Sequence, residues 1–292
     1  MAQGTLVLKL SPAEQKELEA KLEGGPFDYR SVPYARFSVK GEGVVATLYT
    51  SGKLVVQGGA PELFTQRYLG RGAPEAPTKR LVDTDKPLIG ADETGKGDYF
   101  GPLVAAAVKL LPEQRADVKA LGVADSKRID DAAIARMAPV LEANLEHAVE
   151  VLDPPDYNAT WGRLRNVNEV LGDLHAKAIG RIAKAGDAVL IDRFAAESVM
   201  AKRLKPLQVD LAQAPRAESE LAVAAASILA RHAFVTRLDA MSEEWAVDLQ
   251  KGAGAPTDRA ARTFVKIHGF DALERVAKVH FKNTQKIRNG RR

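Results

Sequence analysis

Residues 89–102 read Ile89-Gly-Ala-Asp92-Glu93-Thr-Gly95-Lys96-Gly97-Asp98-Tyr-Phe-Gly-Pro102. An apolar strand leads into two adjacent carboxylates and then into a glycine-rich turn. Neighbours on a regular strand point to opposite faces, so Asp92 and Glu93 converge on one site only if the chain bends there; the glycines permit such a bend. A surface turn with a solvated acid pair would show the same spacing. A phosphate loop of the Gly-x-x-x-x-Gly-Lys-Ser/Thr kind is absent. A Gly-x-Gly-x-x-Gly fingerprint starting at Gly95 fails at Phe100.

Working outward, residues 87–91 and 103–111 read as strands buried on both faces, apolar except for Lys109. Helical patterns follow over 130–146, 167–184 and 218–234, with strands over 147–152 and 188–191. Strands alternating with helices predict an α/β domain with a mixed or parallel sheet across 87–292. The run Ala188-Val-Leu-Ile191-Asp192 repeats the pattern of an apolar strand ending in a carboxylate. If the two strands are neighbours, Asp92 and Asp192 emerge at one sheet edge, where α/β folds place their sites. The segment from Arg216 to Arg231 is rich in small residues, as a helix packed tightly on a sheet requires. Glu218 and Glu220 fall in its expected first turn, where the helix dipole favours negative charge.

Upstream, residues 71–86 lack apolar periodicity and carry two prolines, as a linker would. Residues 1–70 read as a small α+β domain. A strand over 5–10 is followed by Ser11-Pro12-Ala13-Glu14, a capping box with proline at the first helical position. Alternating runs over 34–40, 43–50 and 53–57 predict an antiparallel sheet, and a short helix over 61–68 closes the unit.

Composition narrows the chemistry. The 292 residues are 46% hydrophobic and 27% charged, with no cysteine and five histidines. Disorder, a disulfide scaffold, thiolate catalysis and cysteine-based zinc sites are excluded. No apolar run approaches the roughly 18 residues of a membrane span, and no signal peptide is evident, so a cytoplasmic protein with no membrane partner is expected. The net charge of +4 conceals an uneven distribution: residues 1–70 carry +1, residues 275–292 carry +7 with no acid, and the middle carries −4. Within the tail, Lys278, Lys282 and Lys286 recur every four residues and form one stripe if the segment is helical, suited to phosphate contact. Four acids without cysteine describe a site for a hard cation, Mg²⁺ or Mn²⁺. Two such ions about 4 Å apart are the usual device for attacking a phosphodiester.

The motif from Asp92 to Pro102 resembles the signature that opens the catalytic domain of type 2 ribonucleases H, in wording closest to ribonuclease HIII. Further similarities follow in family order: Ala124-Asp-Ser126-Lys127, Tyr157-Asn158, Asn168 with His175, Ile191-Asp192-Arg-Phe194, Ala217-Glu218 through Ser227 to Arg231, and Val279-His280-Phe281-Lys282-Asn283-Thr284. Residues 48–58 are similar to the TATA-box-binding-protein-like (TBP-like) domain that ribonuclease HIII carries and ribonuclease HII lacks. The resemblance implies a ribonuclease H-like mixed-sheet catalytic domain behind a TBP-like domain. It implies an endonuclease that cuts the RNA strand of RNA–DNA hybrids with two metal ions, leaving 5′-phosphate and 3′-hydroxyl ends. By motif position the catalytic and metal-binding acids are Asp92, Glu93, Asp192 and Glu218, with Glu220 the alternative fourth. Gly95, Lys96 and Gly97 match the glycine motif that meets the RNA strand near its 2′-hydroxyls, and Ser126, Lys127, Lys53 and Lys282 are the expected phosphate contacts. The tyrosine with which ribonuclease HII senses a single ribonucleotide has no evident counterpart. A junction-cutting ribonuclease HII and a non-catalytic hybrid-binding protein are the rival readings. His175, His280, Trp161 and Trp245 read as core or supporting residues. No protein partner is implied, and a monomer is expected.

Overall fold

The computed structural model describes residues 4–25, 27–59, 61–70, 83, 85–123, 129–192, 197–214 and 217–290. The chain divides into two compact units, residues 1–80 and 81–292. Most of the expected linker over 71–86 lies outside the described residues.

In the first unit, strands β1 (Gly4–Lys9), β2 (Asp28–Arg30), β3 (Ala35–Gly41), β4 (Val44–Tyr49) and β5 (Lys53–Gly58) form an antiparallel sheet in the order β1-β5-β4-β3-β2. Helix α1 (Pro12–Leu22) starts at the expected capping box: the Ser11 backbone N–H donates to Glu14 Oε2 at 2.7 Å, and the Glu14 N–H to Ser11 Oγ at 3.4 Å. Alternate strand residues, among them Leu6, Leu8, Val39, Ala46, Leu48, Leu54 and Val56, pack with Leu18 and Leu22 of α1 and Phe64 of α2 (Pro61–Leu69). The alternation leaves Thr5, Val7, Lys9, Lys53 and Gln57 exposed on the opposite face. The short strand β2 was not legible in the sequence, since all three of its residues are exposed.

The second unit is built on a mixed sheet of β6 (Leu88–Thr94), β7 (Leu103–Leu110), β8 (Glu146–Leu152), β9 (Ala188–Asp192) and β10 (Asp210–Ala214), ordered β10-β9-β6-β7-β8. β9 is parallel to both β6 and β10, whereas β7 runs antiparallel to β6 and β8. The helices in chain order are α3 (Arg115–Ala120), α4 (Asp131–Asn144), α5 (Pro154–Leu164), α6 (Val167–Ile182), α7 (Glu197–Leu204), α8 (Leu221–Glu244), α9 (Ala255–His268) and α10 (Lys282–Asn289).

Two helices decide what reaches the sheet edge. On one face, Leu88, Val104, Ala106, Val108 and Leu190 pack against α8. On the other, Ile89, Ala91, Val189 and Ile191 meet Ala178, Ile179 and Ile182 of α6. Helix α8 approaches so closely that a Cβ on Gly90 would lie 2.2 Å from the carbonyl carbon of Ala222 and 2.3 Å from the nitrogen of Val223. The unbroken burial from Ala222 to Ala230 is the counterpart of that contact. By length and composition alone α8 could cross a membrane, contrary to the expectation that no segment qualifies, but it is the buried core helix of this unit.

Candidate active site

Strand β6 keeps its register with β7 through Asp92↔Ala106 and Glu93↔Ala105, so the chain does not bend between the two acids. Asp92 continues the row of Leu88 and Gly90 and faces α8; Glu93 continues the row of Ile89 and Ala91 and faces α6. This corrects the expectation of a glycine-permitted bend that brings both onto one face. After the two acids, the first residue that needs glycine is Gly95, whose φ is +96° and whose Cβ would fall 2.3 Å from the Pro102 carbonyl oxygen.

Each acid has its own partners. The Asp92 carboxylate accepts the Glu93 backbone N–H at 2.8 Å and a hydrogen bond from the Ser227 hydroxyl of α8. Burial, and then the neighbouring Glu93 charge, nevertheless push its carboxyl up to about 7. On the other face, the fully buried His175 of α6 places Nε2 3.1 Å from Glu93 Oε2. His175 therefore orients Glu93, which matches the supporting role expected of it. That its partner would be Glu93 was not legible, because only the fold joins residues 93 and 175.

The parallel pairing of β6 with β9 ends at Ala91↔Ile191, so Asp92 and Asp192 follow it side by side. Asp192 Oδ1 accepts the backbone N–H of Ala217 at 3.2 Å. That bond ties the strand end to the 3₁₀ turn Ala217–Ser219, which carries Glu218. Neither Glu218 nor Glu220 lies inside α8, as the expected helix over 218–234 required. Glu220 instead occupies the N-cap position of α8 without capping it through its side chain, and its carboxylate is engaged by Arg115 at 2.7 Å. The fold thus fastens the turn that carries Glu218 to Asp192 and gives Glu220 an ion-pair partner in Arg115.

The loop after β6 carries Gly95, Lys96 and Gly97. Gly97 is exposed, and a Cβ there would meet nothing within 4 Å, so the chain itself does not demand glycine at this position. Ser126 and Lys127 lie outside the described residues. Lys53 sits on the open face of the first unit, exposed and paired in register with Lys9 of β1. Lys282 is exposed at the start of α10.

The family model described as Ribonuclease HII matches residues 89–284, and a second model, described as a domain of unknown function, matches residues 5–79. A ribonuclease HIII of Protochlamydia amoebophila is 38% identical over 292 residues, covering 97% of this chain and 95% of the relative. A ribonuclease HIII of Streptococcus thermophilus is 36% identical, covering 97% and 98%. The chain belongs to the ribonuclease HIII family. The crystal structure of Bst-RNase HIII in complex with Mn²⁺ is 35% identical, covers 99% of this chain and 100% of that one, and superposes with a TM-score of 0.67. The fold is accordingly the ribonuclease H-like α/β catalytic domain preceded by a TBP-like α+β domain.

For a ribonuclease HIII the donor set has the right chemistry. Asp92, Glu93, Asp192 and Glu218 offer only oxygen, as Mg²⁺ and Mn²⁺ require. Burial, and then the Glu93 charge, disfavour the ionised Asp92, and a divalent cation at its carboxylate would offset both. Among the described residues, however, no group of three or more His, Asp or Glu side chains is arranged to hold a metal ion.

The basic tail differs from the expected stripe. Lys278 precedes α10 and is fully buried, and burial pulls its ammonium down to about 7. Lys286 pairs with the buried Asp258 at 2.9 Å. Of the three lysines, two are therefore committed to the fold, and only Lys282 matches the stripe as read. His280 stacks on Trp161, with ring centroids 4.4 Å apart, and Trp245 packs on Phe264, in the supporting roles expected of them.

Proposed function

We propose that this chain hydrolyses the RNA strand of RNA–DNA hybrids endonucleolytically, leaving 5′-phosphate and 3′-hydroxyl ends, with Asp92, Glu93, Asp192 and Glu218 as its catalytic acids. The observation that carries this reading is the parallel pairing of β6 with β9, which delivers Asp92 and Asp192 to one edge while the Ala217 N–H fastens the Glu218 turn to the same carboxylate. The enzyme is metal-dependent: Asp92, Glu93, Asp192 and Glu218 would hold two Mg²⁺ or Mn²⁺ ions, which would supply an activated water and neutralise charge on the phosphodiester.

The chain's own residues perform the rest. Ser227 and the Glu93 N–H hold the Asp92 carboxylate in one orientation, and His175 holds Glu93 in another. Selection of RNA requires contact with the 2′-hydroxyl in the shallow minor groove, where side chains crowd the approach. Gly97, exposed and needed by no packing contact of its own, leaves the backbone of the loop open to such an approach. Lys96 beside it adds positive charge for the strand. In the TBP-like domain the exposed sheet face with Lys9 and Lys53 suits a duplex backbone. Both domains and all four acids belong to one polypeptide, and a monomer suffices.

Cleavage of an all-RNA/DNA hybrid is the test, compared with a duplex bearing one embedded ribonucleotide, each with Mg²⁺ and with Mn²⁺. Preferential cutting of the continuous hybrid supports the reading, and preference for the single ribonucleotide would point to a junction-cutting enzyme. Binding without cleavage under both metals would leave only a hybrid-binding protein.

A further inference from the structure

The loop from Gly95 to Pro102 turns β6 back into β7, and one distant residue holds its outgoing half. Lys278 Nζ donates to the backbone carbonyls of Gly101 at 2.7 Å, Asp98 at 3.0 Å and Phe100 at 3.4 Å. The fourth carbonyl of the run, that of Tyr99, accepts the backbone N–H of Lys278 at 2.8 Å. All four successive carbonyls from Asp98 to Gly101 are thus bonded by Lys278. A buried carbonyl without a donor is costly, and an ammonium offers three N–H groups for the three carbonyls that face it.

Lys278 is itself fixed. The Asn158 side chain of α5 donates to the Ala277 carbonyl at 2.9 Å and accepts the Val279 N–H at 3.1 Å, which clamps the chain on both sides of the lysine. The Gly101 N–H donates to the Val276 carbonyl at 3.0 Å, and Phe100 bridges Ala277. At the near end of the run, Asp98 accepts the Gly252 N–H at 2.6 Å. The loop therefore has an anchored half, 98–101, and an incoming half, 95–97, that starts at the buried Gly95 and reaches solvent at Gly97.

We infer that Lys278 is a positioning residue for hybrid recognition, fixing residues 98–101 so that the Gly95-Lys96-Gly97 backbone is presented to the RNA strand in one conformation. This rests on the reading that residues 95–97 meet the substrate. Lys278 touches neither substrate nor the acids, so its loss falls on binding of the hybrid more than on the chemical step.

The experiment compares the full-length wild type with Lys278→Met, Lys278→Gln and Gly97→Ala, measuring kcat and KM on a labelled RNA–DNA hybrid with Mn²⁺, and Tm for each. Lys278→Met keeps the length of the side chain and removes every donor; its KM should rise about ten-fold while kcat at saturation stays within about three-fold. Lys278→Gln, which keeps one amide, should fall between the two, and it decides the matter alone if the methionine variant does not fold. A folded variant whose Tm drops but whose KM is unchanged would overturn the inference, because a merely structural lysine behaves that way. Gly97→Ala separates the two levels of the argument. Its KM should rise without loss of Tm. If it rises while the Lys278 variants keep theirs, only the role of Lys278 fails; if it does not rise, the substrate-facing loop fails and the inference with it.

Discussion

Replacing Asp92 by Asn should make the metal-free protein more stable while abolishing its activity. In the folded chain, burial and the Glu93 charge raise the Asp92 carboxyl from the ordinary 3.8 to about 7. The folded state therefore holds a proton there that the unfolded state has already released between about pH 4 and pH 7, and stability falls as pH rises through that interval. At about 1.4 kcal/mol per tenfold in the proton equilibrium, the raised carboxyl costs the fold about 1.5 kcal/mol at pH 5, where Asp92 holds its proton, and about 4 kcal/mol at pH 8, where it is ionised. These are upper figures, because water reaches the half-buried edge. Asn keeps the oxygen that accepts the Glu93 N–H and carries no charge at either pH. Urea unfolding in EDTA should show the variant gaining clearly more at pH 8 than at pH 5. Added Mn²⁺ should then stabilise the wild type more than the variant, and hybrid cleavage by the variant should drop by about a thousand-fold or more, on the scale of losing an essential electrostatic group. A variant no more stable than wild type in EDTA at pH 8 would refute the claim that this carboxylate is held against its charge. Retained cleavage would remove Asp92 from the site.

Other consequences are open to the same kind of measurement. Gly90→Ala should lower the unfolding free energy by about 3 kcal/mol or more, since its Cβ meets rigid backbone of α8 and not a movable side chain; urea unfolding checks it. Glu218→Gln should abolish cleavage with little change in Tm, whereas Glu220→Gln should retain cleavage and lose about 1–3 kcal/mol as Arg115 forfeits its partner; paired activity and unfolding assays distinguish them, and the reverse outcome would make Glu220 the fourth acid. Deleting residues 1–72 should weaken hybrid binding several-fold and leave the chemical step intact, measured by titration at physiological salt and single-turnover cleavage. Unchanged affinity would assign the TBP-like domain another role.

What the sequence displayed plainly were the local patterns. Buried strands ending in acids at Asp92 and Asp192, the capping box at Ser11 and the small-residue helix toward Arg231 each have a period or composition that one segment carries alone. Their placement at one edge followed from a general rule of α/β sheets. The rest depended on what lies opposite. Glu93 and Asp92 sit on different faces because β7 holds β6 in regular register through both, and no residue near position 92 announces that pairing. His175 read as a supporting histidine, but its target lies 82 residues away. The spacing of Lys278, Lys282 and Lys286 satisfied a helical stripe, yet Lys278 precedes the helix because its segment pairs with residues 98–101. Spacing records which residues could share a face; it does not record what that face meets. Nor does the sequence near Glu220 announce its ion pair with Arg115, equally remote in sequence.

The dispersion of the site along the chain also sets when during synthesis it can come into being. Asp92 finds its neighbour only once β9 has paired a hundred residues later, the Glu218 turn is fastened only after Ala217, and the loop beside them stays unsupported until Lys278 is in place. Contacts of such long sequence separation form late, because closing the intervening chain costs entropy before any contact repays it. A growing chain therefore carries the candidate acids well before the sheet edge that gathers them is complete, and the loop beside them gains its anchor only with the last tenth of the polypeptide.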